Sequence, residues 1–389
     1  MPLSSHNPGV LPTLALLLAA AAPQAVVPPA AAPKPQAVVI GYVFAQERLL
    51  APDEVDAAKL THVNYAFANV KDGLVVEGFA RDAENLRVLT GLRARNPQLK
   101  VLVSVGGWTW SKGFSDAALT AESRRRFCES AVAYVRRHDL DGFDVDWEYP
   151  GLRGDDNPHR PEDRENFTAL MTQLRAQLDR AAAGTGRHYL LTFAAGAFPD
   201  YLAHASMSDV QGVVDFVNLM TYDFRVPGAE PEAGHNANLL AHPKDVNGQS
   251  AERAVRDFLA AGVPARKLVL GVPFYGRAWE VEGDYGPLYE PGKAAKGFGS
   301  GRYSALRELP SQPGWLRLWD DAAQAPWLWN PEKKLFVSYE DPRSLRLKCA
   351  LVRERGLGGV MFWEYSEDGG GELLRTLYEE LLAPAPTAR

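Results

Sequence analysis

The sequence predicts an α/β protein: a closed TIM-type (β/α)8 barrel with a small α+β insertion between strand 7 and helix 7. Three observations predict it. After residue 36, short apolar runs rich in β-branched and aromatic residues alternate with amphipathic helical stretches. The alternation repeats through about eight units over roughly 350 residues, as a parallel barrel requires. One connection, of about 65 residues, breaks the rhythm and is too long for a bare loop.

The expected strands, in order, are VVIGYVF (38–44), HVNYAFA (62–68), KVLVSVG (100–106), GFDVDW (142–147), YLLTFAA (189–195), DFVNLMTY (215–222), KLVLGV (267–272) and GGVMFW (358–363). Between them, 121–138, 164–183, 251–262 and 341–356 carry apolar residues at helical spacing. A doubly wound open sheet is the alternative. It usually closes with fewer units and shows a glycine-rich phosphate loop after its first strand, where this chain has GYVFAQERLL. The long connection, 276–340, holds Tyr, Phe and Trp pairs and many glycines, and is expected to form a subdomain on the C-terminal face of a barrel spanning 37–275 and 341–384. Its tryptophans 315, 319, 327 and 329 fit its own small core and a groove wall equally well.

Residues 1–25 read as an export signal and 26–36 as an Ala/Pro-rich linker, the apolar run being too short and Pro-interrupted for a membrane span. A net charge of −6, with SRRRF (123–127) as the one basic run, argues against nucleic acid or an anionic membrane as partner. Cys128 and Cys349 fall on opposite sides of a barrel and are expected to be unpaired. The eight His include no HExxH and no close pair, so neither metal nor cofactor is expected. GFGSG (297–301) and GGG (369–371) lack the strand and Lys of a phosphate loop and read as turns, and the NFT sequon at Asn166 lies in an expected helix.

The segment DGFDVDWEYP (141–150) puts four acids into eight positions. On a strand, residues two apart share a face, so Asp144, Asp146 and Glu148 project together while Phe143, Val145 and Trp147 face the helices. Neighbouring acids then stand roughly 6–7 Å apart at the backbone. Three carboxylates this close cannot all ionise cheaply and titrate as a coupled set, which holds a proton where a leaving group needs one. A hard-cation site or a solvated acidic loop is the alternative, disfavoured by the apolar strand around the acids.

DGFDVDWE resembles the DxxDxDxE signature of glycoside hydrolase family 18, the chitinase family. SVGGW (104–108), NLMTYDF (218–224), GVPFYGRAW (271–279) and GLGGVMFWEYSED (356–368) are similar to its segments on strands 3, 6, 7 and 8, and WDDAAQAPWLWN and FVSYEDPRSL to the end of its insertion domain. The resemblance runs from about residue 38 to 380. It implies Glu148 as proton donor, Asp146 as the group orienting the substrate's acetamido group, and Asp144 as its partner in a shared proton. Tyr222 and Asp223 are implied to bind that acetamido group over Met220, with Trp363 as the floor beneath the cleaved sugar. Tyr42, Phe67, Gly107 and Tyr149 are implied lining, and Trp108 a stacking surface for the leaving sugar. In this family the nucleophile is the sugar's own acetamido oxygen, an exception to two-carboxylate schemes.

The implied protein is a secreted, monomeric chitinase acting with retention on chitin or chito-oligosaccharides, with no nucleic acid partner and no membrane in its mature form. An endo-β-N-acetylglucosaminidase, a peptidoglycan hydrolase and a chitinase-like lectin are the alternatives; the lectins typically lack the acid present here as Glu148. The insertion is short for the family, and no arginine or tyrosine in it is assigned to substrate. No further module is expected after Leu382, so binding to crystalline chitin would rest on the catalytic domain.

Overall fold

In the computed structural model, which describes residues 37–282, 287–298 and 301–384 together with Gly9, the eight apolar runs form the strands of one closed barrel. They are β1 (Val38–Phe44), β2 (His62–Lys71), β3 (Lys100–Gly106), β4 (Gly142–Asp146), β5 (Leu190–Gly196), β6 (Phe216–Met220), β7 (Leu268–Pro273) and β8 (Gly359–Trp363). Every neighbouring pair is parallel, and β1 closes the ring against β8 with Val38 opposite Gly359. The expected export segment and linker lie outside the described residues, Gly9 apart. Among the described residues no helix is long and apolar enough to cross a membrane.

Parallel strands covered on both faces need apolar side chains outside and tightly packed ones within. Phe143, Val145 and Trp147 meet the helical layer as expected: Trp147 stacks on Phe114 with centroids 5.5 Å apart and meets the edge of Phe167 from helix Asp163–Ala182. Inside, Val38, Ile40, Tyr42, Ala66, Phe67, Val269 and Met361 form a separate cluster. The helices start where the sequence supplies caps. Thr120 and Ser123 form a reciprocal capping box for Ala121–Arg137, and Asp341 and Ser344 do the same for Pro342–Arg355. Cys128 and Cys349, on these two helices, are free and buried. Asn166 sits within helix Asp163–Ala182.

The long connection after β7 folds as an antiparallel sheet. Strand Tyr275–Val281 pairs with Leu335–Ser338 on one side and Gly292–Ala294 on the other, and Ala325–Asn330 and Leu316–Asp320 extend it, with a short helix at Tyr303–Leu306. Trp327 and Trp329 pack with Trp279 and Phe336 in its own core, Trp315 is buried, and Trp319 lies 3.7 Å beneath the Arg343 guanidinium. The reading as the insertion's own small core therefore holds for Trp327 and Trp329, whereas Trp315 is buried in the main hydrophobic cluster.

The chain that follows β6 is stitched to this sheet. Ala233 donates to Glu290 O (3.0 Å), Leu240 to Ala323 O (3.1 Å) and Asn236 to Ser338 Oγ (2.8 Å). His235 Nε2 lies 2.9 Å from Asp320 Oδ2. The wholly buried Lys348 donates to Ala237 O at 2.6 Å and pairs with buried Glu340. One wall beside the C-terminal end of the barrel is thus made from two segments distant in sequence.

Candidate active site

β4 carries the carboxylates to the barrel mouth in a regular extended run, Asp144 at its centre, Asp146 as its last residue and Glu148 two residues beyond. Asp144 is fully buried and accepts four hydrogen bonds: Tyr42 Oη (2.9 Å) and Ser104 Oγ (2.7 Å) on Oδ2, Thr192 Oγ1 (2.5 Å) and Asn218 Nδ2 (3.1 Å) on Oδ1. These donors come from β1, β3, β5 and β6, so the barrel itself builds the cradle. Burial raises the Asp144 carboxyl above its usual range, and the four donors oppose that rise.

Asp146 has no such cradle. Its Oδ1 is buried with no hydrogen-bond partner, and burial together with the charges of Glu148 and Asp144 pushes its pKa well above the carboxylate range. Glu148 is buried too, and desolvation raises it to about 7, with Asp223 adding in the same direction and a hydrogen bond with Tyr149 acting against it. A carboxyl with that pKa is about half protonated at neutral pH, far more than an ordinary carboxyl, and can give and take a proton within the physiological range.

The loop after β3 fits against the end of β4 because residue 106 is glycine. Its φ is +108°, and a Cβ there would stand 2.3 Å from Asp146 O. The next residue, Gly107, donates its N–H to that same oxygen at 2.8 Å. The peptide bonds Ala66–Phe67, Glu148–Tyr149 and Trp363–Glu364 are cis.

Trp363, ending β8, stacks on Phe67 (5.3 Å, 17°) and stands 5.9 Å from Tyr42. Met220 and Tyr222 pack against the same interior cluster, Tyr222 Oη reaching Met361 Sδ at 3.9 Å. Burial raises the Tyr222 hydroxyl well above 10, with Asp146 and Glu148 contributing, so it is a neutral donor beside the acids. Asp223 takes a left-handed backbone conformation, φ +55°, which Asp tolerates. Its N–H donates to Asn236 Oδ1 (3.0 Å). Trp108 is half exposed and meets the edge of Tyr149 at 6.4 Å, with Phe198 5.2 Å from Tyr149 on the far side.

The structure thus gathers Tyr42, Phe67, Gly107, Asp144, Asp146, Glu148, Met220, Tyr222, Asp223 and Trp363 at one end of the barrel, with Trp108 and Tyr149 beside them. It adds residues that sequence reasoning missed. Arg277, from the first strand of the insertion, forks onto Asp223 with two hydrogen bonds of 2.8 Å and lies 5.0 Å over the Tyr275 ring. Arg277 belongs to the insertion as expected from the sequence, and Tyr275 is the last residue of the barrel segment before it. Ser104, Thr192 and Asn218 were also missed. Each stands at the expected inward position of a strand, the one signal that could have found them. Among the described residues no group of three His, Cys, Asp or Glu is arranged to hold a metal ion.

Comparison with known proteins gives the same picture. The model of "Glycosyl hydrolases family 18" matches residues 38–368. The chain is 37% identical to Chitinase A1 of Niallia circulans, covering 96% of this chain and 62% of that longer protein. A solved family 18 N-acetylglucosaminidase from Paenibacillus barengoltzii is 39% identical with a TM-score of 0.80, covering 89% of this chain and all of that one. A chitinase from Bacillus thuringiensis, 33% identical, superimposes with a TM-score of 0.84 over 91% of this chain and 71% of its own. Matched by the family model along most of its length and by enzymes of the family at more than one-third identity, the chain belongs to glycosyl hydrolases family 18 and is a glycoside hydrolase.

Proposed function

We propose that the protein is an exported, monomeric chitinase that hydrolyses β-1,4 linkages between N-acetylglucosamine units with retention. The observation that carries the reading is Glu148, a buried carboxyl raised to about 7 at the mouth of the barrel, beside a second carboxyl, Asp146, that is also raised well above its usual range. In the proposed first step Glu148 gives its proton to the glycosidic oxygen and the bond from that oxygen to C1 breaks. The carbonyl oxygen of the 2-acetamido group bonds to C1, giving an oxazolinium ion, while Asp146 and Tyr222 orient the acetamido group. Water then attacks C1, Glu148 takes the water's proton, and the ring opens to the β-anomer. Asp144 shares a proton with Asp146, and Trp363 is the floor under the reacting sugar.

Residues 1–25 are proposed as the export signal, 26–36 as the linker, 37–275 with 341–384 as the catalytic barrel and 276–340 as the insertion. The wall built from the insertion and the chain after β6 supports a long linear substrate. A second reading, release of single terminal sugars, is favoured by the likeness to the Paenibacillus N-acetylglucosaminidase.

The test is product analysis of residues 36–389 on a soluble chitin hexamer beside its fully deacetylated counterpart. Cleavage of the acetylated chain alone, β-anomer first, is expected. Monosaccharide as the sole early product selects the second reading, whereas cleavage of the deacetylated chain or an α-anomer refutes the acetamido-assisted mechanism.

A further inference from the structure

Two loops converge on the backbone of Glu148 without touching its carboxyl. Ser111, fully buried in the loop after β3, accepts the Glu148 N–H at 2.9 Å. The same hydroxyl lies 2.8 Å from Gly107 O and 3.0 Å from Asp146 O as donor, so one oxygen brackets the chain on either side of Trp147. From the loop after β4, Asn157 donates its side-chain amide to Glu148 O. Asn157 is 5% exposed, and its Oδ1 is buried with no partner. A buried amide oxygen left unpaired costs stability and calls for a reason. Gly154 makes room for the contact: a Cβ there would stand 2.1 Å from Glu148 O and 2.6 Å from the Asn157 amide nitrogen.

We infer that Ser111 and Asn157 are positioning residues of the proton donor, clamping both ends of the Glu148 main chain so that its carboxyl meets the glycosidic oxygen in line. This rests on Glu148 being the donor, as proposed above. The main chain of Glu148 is the base from which its carboxyl is aimed, and the clamp fixes this base from both sides. Both side chains are buried and spend these bonds on the main chain of Glu148. Loss of the clamp therefore weakens proton donation and leaves substrate binding largely in place.

The test compares two substrates with the same acetylated glycon, chitotetraose and a dinitrophenyl chitobioside, whose acidic phenol leaves without needing a proton. Glu148→Gln, Ser111→Ala and Asn157→Ala are assayed on both, with the melting temperature of each. Glu148→Gln is expected to lose far more activity on the tetramer than on the aryl glycoside. Ser111→Ala and Asn157→Ala are expected to lose about 10- to 100-fold in kcat on the tetramer, the scale of an ångström-sized misplacement, with KM nearly unchanged and a loss on the aryl glycoside about tenfold smaller. Equal losses on both substrates, or undiminished activity on the tetramer, overturn the positioning role while Glu148→Gln still discriminates. If Glu148→Gln itself fails to discriminate, the assignment of the donor falls and the inference falls with it. Because the residues lie on separate loops, misfolding of one variant leaves the other to decide.

Discussion

Replacing Thr192 by valine removes one of the four donors to Asp144 and changes almost nothing else in shape. Thr192 is buried, and its hydroxyl sits 2.5 Å from Asp144 Oδ1. A hydrogen bond to a charged group is worth about 1.5 kcal/mol or more and this one favours the ionised form, so its loss raises the Asp144 pKa further. Asp144 then competes for the proton that the uncradled Asp146 holds. Each proton that moves to Asp144 leaves a negative charge on Asp146, one strand step nearer Glu148. That charge raises Glu148 above its value of about 7, because Asp146 and Glu148 titrate together. The donor must be protonated to act, so activity falls as pH rises through its pKa, and the alkaline limb of the kcat/KM profile moves upward in Thr192→Val. The assay is the pH dependence of kcat/KM on a soluble acetylated oligomer, with Thr192→Ser as the variant that restores the wild-type limb. An alkaline limb that stays where it is, in a variant that melts like the wild type, would refute the reasoning.

Two further outcomes follow from buried charge. Lys348→Met leaves Glu340 buried with Ser344 as its remaining side-chain partner and is expected to cost about 3–5 kcal/mol in guanidinium unfolding; adding Glu340→Gln should return part of it, and a single variant as stable as wild type would contradict the pairing. His62, beneath Phe216 at the entrance of β2, has its pKa lowered by burial to about 4 from 6.5. The unfolded chain therefore binds the extra proton first, and the stability held above pH 6.5 is lost as pH falls toward 4, by about 3 kcal/mol in total. Urea unfolding of wild type and His62→Gln at pH 7 and pH 4.5 reads this directly, with a flatter dependence expected in the variant.

The barrel was legible because strands covered on both faces must be apolar along their length, and runs such as KVLVSVG and KLVLGV have few other uses. The carboxylates were legible for a related reason: alternation with Phe143, Val145 and Trp147 fixes which side chains face inward. Edges were less so. The strand expected to end at Trp147 stops at Asp146, and the one expected at 62–68 runs on to Lys71, because apolar pattern does not mark where hydrogen bonding ceases. Arg277 was invisible since its partner Asp223 lies 54 residues away, and the insertion brings them together only in three dimensions. Ser111 and Asn157 carry no pattern at all. Each is a small polar residue in a loop, and its meaning comes entirely from which backbone groups it meets.

The stitching of the chain after β6 to the sheet after β7 limits how this enzyme can be re-engineered. Exchanging 276–340 for the equivalent piece of a relative would discard Arg277, the ion-pair partner of Asp223, together with Asp320, Ala323 and Ser338, to which residues 235–240 are bonded. It would also remove Glu340 and leave Lys348 charged in the interior. The transferable cassette is therefore discontinuous: residues 223–250 and 275–348 must travel together, and a graft of either alone would inherit half an interface.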